Sequence, residues 1–198
     1  MKKLLLIVLY SLYWLLPQAQ AQTGTYKGIG TIVFEAGAPF NLIKGTSESA
    51  NGLIDLETGK LRFDVPITSF QFLNSLMQER FNDKYMQSGR FQKATFVGKI
   101  TEKGPVSAKG EAKVTAAGIL TIHGVSKKRT ITGTIVQKGN TWQLVTDFPV
   151  KLADHHIQAP RLSSGYGAST MNVSLKMPLT PTEPEPQQIM AIKKFSFK

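Results

Sequence analysis

Cysteine is absent from the 198 residues. Its absence excludes disulfides, Cys-ligated zinc, thioether haem attachment, a cysteine nucleophile and a lipid anchor on an N-terminal cysteine. Histidine is scarce: only His123, His155 and His156. Acidic residues are outnumbered, 13 against 24 basic ones, for a formal charge of +11. Such a balance favours anionic partners, lipid head groups or polyanions, without specifying nucleic acid. The basic residues are scattered, and their one compact run, Lys127-Lys128-Arg129, reads as a solvated strand edge. Gly and Pro are present at ordinary levels, 17 and 10, which removes the collagen-like and low-complexity classes. With 41% hydrophobic and 19% charged residues, the chain is globular, with length for one domain and short appendages.

Long apolar runs are missing everywhere but the N-terminus. There Lys2 and Lys3 precede the run Leu4 to Leu16, and Pro17 and Ala19-Gln20-Ala21 follow. This is the three-part pattern of a secretory signal over residues 1–21, too short to span a bilayer, which takes about 20 apolar residues. The expectation is cleavage after Ala21, a mature charge of about +9 once Lys2 and Lys3 are gone, and a periplasmic or secreted product. A retained anchor is the alternative.

The body of the chain repeats with period two. Leu61, Phe63, Val65 and Ile67 form one apolar face. So do Val106, Ala108, Gly110, Ala112 and Val114; Trp142, Leu144, Thr146, Phe148, Val150 and Leu152; and Met171, Val173, Leu175, Met177 and Leu179. Alternation of this kind belongs to antiparallel strands with one wet face. Hairpin connections are read at Glu57-Thr58-Gly59-Lys60, Glu102-Lys103-Gly104-Pro105, Ala116-Ala117-Gly118 and Lys138-Gly139-Asn140. Eight to ten strands at this spacing predict a sandwich or barrel, and long one-sided strands favour a sheet closed on itself.

One segment departs from period two. Met77, Phe81 and Tyr85 lie at i, i+4 and i+8 between Asn74 and Gln87, on one face of a short amphipathic helix. Asn74 or Ser75 is the expected cap, and Gly89 the expected terminator. Residues 181–198 read as a Pro-rich linker and tail beginning near Thr180.

Chemistry is hard to find. His155 and His156 would point to opposite faces of a strand, so a shared metal gives way to loop residues at a strand end. His123 has no acid and nucleophile beside it. Ser163-Ser164-Gly165-Tyr166-Gly167 lacks the spacing of a nucleophile elbow and reads as a loop. Gly28-Ile29-Gly30 is no dinucleotide fingerprint, and the sequon Asn172-Val173-Ser174 falls in a strand. No catalytic residue and no metal site is therefore assigned. Binding gains weight instead. The inward faces mix long apolar residues (Phe63, Phe96, Trp142, Phe148) with small ones (Ala50, Gly52, Ala108, Gly110, Ala112). Either the small residues leave room for an apolar ligand, or large and small interlock and fill the barrel.

Two stretches carry a resemblance. Leu76-Met77-Gln78-Glu79-Arg80-Phe81-Asn82-Asp83-Lys84-Tyr85-Met86 with Phe91-Gln92-Lys93-Ala94-Thr95-Phe96 resembles the helix-to-strand signature of the YceI-like family. Gly118 to Lys127 is similar to its later hairpin, and Phe148 to Asp154 falls where the family has its next inward strand. The resemblance runs from about Tyr26 to Leu179. It implies an all-β, extended antiparallel lipocalin-like barrel of about eight strands with one inserted helix, spanning residues 22–180. It further implies a non-catalytic protein that holds a polyisoprenoid or a similar amphiphile, such as an isoprenoid quinone. Carriage, storage or sensing in the cell envelope would be its role, and no other cofactor is expected. By position, Phe63, Val65, Met77, Phe81, Tyr85, Phe96, Leu120, Ile122, Phe148 and Val150 are the implied ligand-binding residues, with His123 near a polar end. The sequence departs from the family at Phe91-Gln92, often Tyr-Pro, and at Arg80, usually histidine. The expected partners are an isoprenoid-type lipid and, transiently, an anionic membrane surface, with no nucleic acid. A filled barrel serving as a protein-interaction module is the competing reading, and an enzyme using the histidines ranks last.

Overall fold

The computed structural model describes residues 24–36, 43–104, 110–139, 141–158 and 169–182. The expected signal, Val106, Ala108, the Ser163–Gly167 loop and the tail beyond Thr182 lie outside the described residues. Among the described residues there are eight strands: β1 (Thr25–Ala36), β2 (Ile43–Asp55), β3 (Lys60–Pro66), β4 (Lys93–Lys103), β5 (Glu111–Ile122), β6 (Val125–Lys138), β7 (Thr141–Lys151) and β8 (Thr170–Pro181). Each pairs antiparallel with the next, and β1 pairs with β8 from Tyr26↔Pro181 to Ala36↔Met171, so the sheet closes into a barrel. The period-two faces of β3, β7 and β8 point inward as their alternation requires.

Turn chemistry sets two of the described joints. Between β2 and β3, the Asp55 carboxylate accepts from the Glu57 and Thr58 amides at 2.9 and 3.1 Å, and Gly59 takes φ +72°. The β5–β6 hairpin turns at His123 and Gly124, both left-handed with φ 52° and 73°, as a tight two-residue turn demands. Ala116-Ala117-Gly118 is not a turn. It lies inside β5, where Gly118 faces Gly98 of β4 and lets the ring of Phe96 lie over it. Thr180 and Pro181 end β8 and do not begin a linker.

The two ends of the barrel differ. At the end holding the β2–β3 turn, Tyr26, Ile54, Leu61, Met177 and Leu179 are buried, Met177 completely. Gly28, Gly30 and Gly52 let strands and Met177 close in, since an added Cβ would overlap the Pro178 or Lys176 carbonyl or the Met177 thioether. Gly52 therefore leaves no vacancy, contrary to the expectation from its size. At the opposite end the ladder parts at two seams. β2 pairs with β3 only over Asn51–Ile54, and β6 with β7 only over Gly133–Lys138. In the cyclic order these seams are four strands apart, so that end consists of two facing four-stranded walls.

Helical segments patch both seams. A 3₁₀ turn at Ile67–Ser69 closes the first, where Ser47 and Ser69 hydroxyls meet at 2.6 Å and Thr46 and Gln71 exchange backbone bonds of 3.1 and 2.8 Å. Helix α1 (Ser75–Arg80) follows. Asn74 caps it, accepting from the Leu76 amide at 2.8 Å and the Met77 amide at 3.3 Å. The helix then widens into a π turn at Phe81–Tyr85, marked by the Met86 amide bonding to the Phe81 carbonyl. It terminates through Gln87, left-handed at φ 46°, and not through Gly89. A second 3₁₀ turn, Leu152–His155, closes the other seam. The His155 Nδ1 donates to the Val125 carbonyl at 3.0 Å, and the Arg129 guanidinium donates to the Pro149 carbonyl.

Glycine at the closed end should thus be a packing requirement. Gly28→Ala is expected to lower unfolding stability by about 1–3 kcal/mol, because its new methyl meets backbone. Gly89→Ala, where an added Cβ meets nothing within 4 Å, should stay within about 0.5 kcal/mol of the parent. Urea denaturation of both variants checks this, and equal shifts would contradict the account of the closed end.

Candidate ligand-binding site

Between the closed end and the helical segments lies a cavity of about 300 Å³. The interior is therefore not filled by its own side chains. All ten residues singled out by the resemblance line this one cavity. Phe63 and Val65 reach it from β3, Phe96 from β4, Leu120 and Ile122 from β5, and Phe148 and Val150 from β7. Met77 comes from α1, and Phe81 and Tyr85 from the π turn. The π turn adds a residue to the local register, so Met86 as well as Tyr85 joins the lining, beyond what i, i+4, i+8 spacing predicts.

The rest of the wall comes from residues that the resemblance did not single out. Ile32 and Phe34 of β1, Ile131 and Ile135 of β6, and Met171 and Val173 of β8 all line it. Their signal is the alternation itself, already readable in β8 and equally regular at Ile131-Thr132-Gly133-Thr134-Ile135. Phe34, Phe70, Phe72 and Phe81 form a cluster at the helix end, with ring centroids 4.9–5.7 Å apart in the five contacts. Aromatic pairs of this kind add about 0.5–1.5 kcal/mol each beyond their buried area.

Polar groups on the described wall are few: Asp64, Arg80, the Tyr85 hydroxyl, Thr95, Thr146 and Gln158. The Thr146 hydroxyl is spent on the Thr132 carbonyl at 2.8 Å. Asp64 lies 3.4 Å from the Lys93 ammonium and 3.8 Å from the Arg62 guanidinium. Arg80 makes no ion pair among the described residues. The exposed lining residues are Met77, Arg80 and Gln158, all at the helix end, so the cavity opens there. An oily chamber whose exposed polar residues, Arg80 and Gln158, stand at its helix end suits a long apolar chain with a polar head.

The histidines stand outside this chamber. His123 does not line it, against the expectation that it sits near a polar end. Instead its ring packs on Phe91 at 4.4 Å, and its Nδ1 donates to the His155 carbonyl at 3.4 Å. His156 is exposed, and the described residues hold no group of three or more metal-ligating side chains. His155 is buried, 2% exposed. Removal from water pushes its pKa below the ordinary 6.5, and Arg129 acts in the same direction, against the Val125 hydrogen bond and nearby Asp154.

A family model for the YceI-like domain matches residues 26–180. The chain belongs to the YceI-like family. No curated protein matches it. Among solved structures, this YceI-like chain is similar to Burkholderia cenocepacia BcnA at 17% identity and a TM-score of 0.62, covering 75% of this chain and 95% of that one. It is also similar to a polyisoprenoid binding domain from Saccharophagus degradans implicated in plant cell wall breakdown, at 11% identity and 0.59, covering 82% and 97%. A Campylobacter jejuni YCEI protein matches at 16% and 0.55, covering 71% and 86%. At these identities the likeness is one of fold, a closed antiparallel barrel with a short inserted helix.

The buried histidine gives the second seam a pH dependence. A lowered folded-state pKa means that the unfolded chain takes up the proton first as pH falls, so the contribution is complete above about 6.5 and is lost progressively below it. Between pH 7 and 5.5 the melting temperature of the parent should fall more than that of His155→Gln. Parallel curves would contradict the assignment.

Proposed function

We propose that this protein binds a polyisoprenoid or a similar long-chain amphiphile, an isoprenoid quinone for example, inside the barrel without chemical change. In this reading it is exported, processed after Ala21, and carries, stores or senses the lipid in the cell envelope. The observation that carries the reading is the cavity: about 300 Å³, walled by apolar side chains and open at one end. At roughly 30 Å³ per water-sized group it has room for about ten heavy atoms or more. Each methylene buried there contributes about 0.8 kcal/mol. Ten carbons would gain on the order of 8 kcal/mol before the costs of association and chain ordering. The structural likeness to a polyisoprenoid binding domain supports the same class of ligand. The ten lining residues named from the sequence would contact the chain, and the polar groups near the mouth would meet its head. Passive sequestration needs no acid, base or nucleophile, in keeping with a wall that is nearly all hydrocarbon.

Organic extraction of the purified protein followed by mass spectrometry should release a long-chain isoprenoid, and a fluorescent prenyl probe should be taken up saturably. Ala116, buried and on the cavity wall, offers the sharper test. Ala116→Phe puts a ring into the chamber and should weaken probe binding at least tenfold while leaving the melting temperature unchanged or raised, since it fills a void. An empty protein with no saturable uptake, or an Ala116→Phe variant that binds as the parent does, would overturn the reading.

A further inference from the structure

Among the described residues, three of the four large apolar side chains most open to water lie within five residues of one another. Leu73 is fully exposed, Leu76 is 50% exposed and Met77 is 37% exposed. Their exposure has a local cause. A helix start commonly buries the residue before its cap against the fourth helical residue, which here would join Leu73 to Gln78. Gln78 is committed elsewhere: its amide accepts from the Phe72 backbone at 3.2 Å and donates to the Phe70 carbonyl at 2.8 Å. The staple is thus replaced by a polar clamp, and Leu73 is turned out.

This tip is continuous with the chamber, because Met77 belongs to both. Its surroundings are cationic on balance. Arg80, Lys84 and Arg90 follow it, against Glu79 and Asp83, and Lys127 and Lys128 begin β6 at the same end of the barrel. None of the three ion pairs among the described residues uses these five cations.

We propose that the tip formed by Leu73, Leu76 and Met77 seats the barrel on an anionic lipid bilayer, with the flanking cations on the head groups and the cavity mouth facing the lipid. The docking deepens the lipid-binding reading and rests on it for its purpose: an apolar chain leaving a bilayer through this mouth need not cross water. Apolar side chains at the interface and cations over anionic head groups are the two components that hold a peripheral protein to a membrane.

The test is co-sedimentation of the processed chain with vesicles of phosphatidylcholine and phosphatidylglycerol at 3:1, beside pure phosphatidylcholine. The parent should partition to the anionic vesicles and release as salt rises from about 0.1 to 0.5 M. Leu73→Ser/Leu76→Ser removes two side chains that contact solvent and do not line the cavity. It should keep the parent melting temperature and the parent uptake of a soluble prenyl probe, yet lose roughly tenfold or more in partitioning. Ala116→Phe should do the reverse, sedimenting with vesicles while failing to take up probe, so failure of docking and failure of the cavity reading are distinguishable. Unchanged partitioning in the double serine variant, no binding by the parent, or a lipid-free self-association that the double variant abolishes would each overturn the proposal, the last by assigning the tip to a second copy of the chain.

Discussion

Everything in this fold follows from one requirement: every backbone N–H and C=O around a ring of strands must be paired while the ring's interior stays open. A closed antiparallel ladder meets the first half without edges. The second half resists it, because a tight ring draws its walls together. The two conditions are met at different heights. Toward the closed end every strand pairs with both neighbours, the β1–β8 pairing lapsing only over residues 28–30, where the glycines let backbone approach backbone. Toward the helix end the ladder parts at the β2–β3 and β6–β7 seams. The freed polar groups are taken up by short helical turns, the Ser47–Ser69 hydroxyl pair, and the side chains of Arg129 and His155. These patches are the polar counterpart of the hollow.

The hollow itself is costly. At about 24 cal/mol per Å³, a void of this size forgoes on the order of 7 kcal/mol of packing, comparable to the whole net stability of an ordinary domain. A chain under no demand to keep it would gain by replacing Ala50, Ala94 or Ala116 on its wall with larger residues. That these positions are small while Met177 fills the opposite end solidly argues that the open volume is what the sequence is built to keep. A barrel filled by its own side chains would show the reverse.

Much of this was legible in the sequence. The alternation in β3, β7 and β8 is regular because each strand has one wet face, and it assigns the inward residues correctly. The i, i+4 spacing of Met77, Phe81 and Tyr85 finds the helix, and Asn74 its start. What escaped is non-local. Ala116-Ala117-Gly118 reads as a turn because small residues weaken strand propensity, yet Gly118 is small to meet Gly98 across the ladder. The π turn and the left-handed Gln87 depend on burying Phe81 and Met86 together, which no local propensity encodes. The seams depend on which strands lose partners, and that is settled only once the ring closes. The resemblance places His123 near a polar end of the site, but the hairpin turns at that very residue and carries its ring onto Phe91.

The choice of residues at the two ends fits their tasks. Methionine, with three rotatable bonds and a polarizable sulfur, adapts to irregular gaps. Met177, fully buried among Gly28, Gly30 and Gly52, makes the closed end dense. Phenylalanine has two side-chain torsions and loses little freedom when fixed. Four of them, Phe34, Phe70, Phe72 and Phe81, brace one another across β1, the loop before α1 and the π turn. Rings braced in this way border the cavity without collapsing into it. The cluster also ties the helical segment to β1, so the mouth is framed by a rigid aromatic wall on one side and by the Leu152–His155 turn on the other.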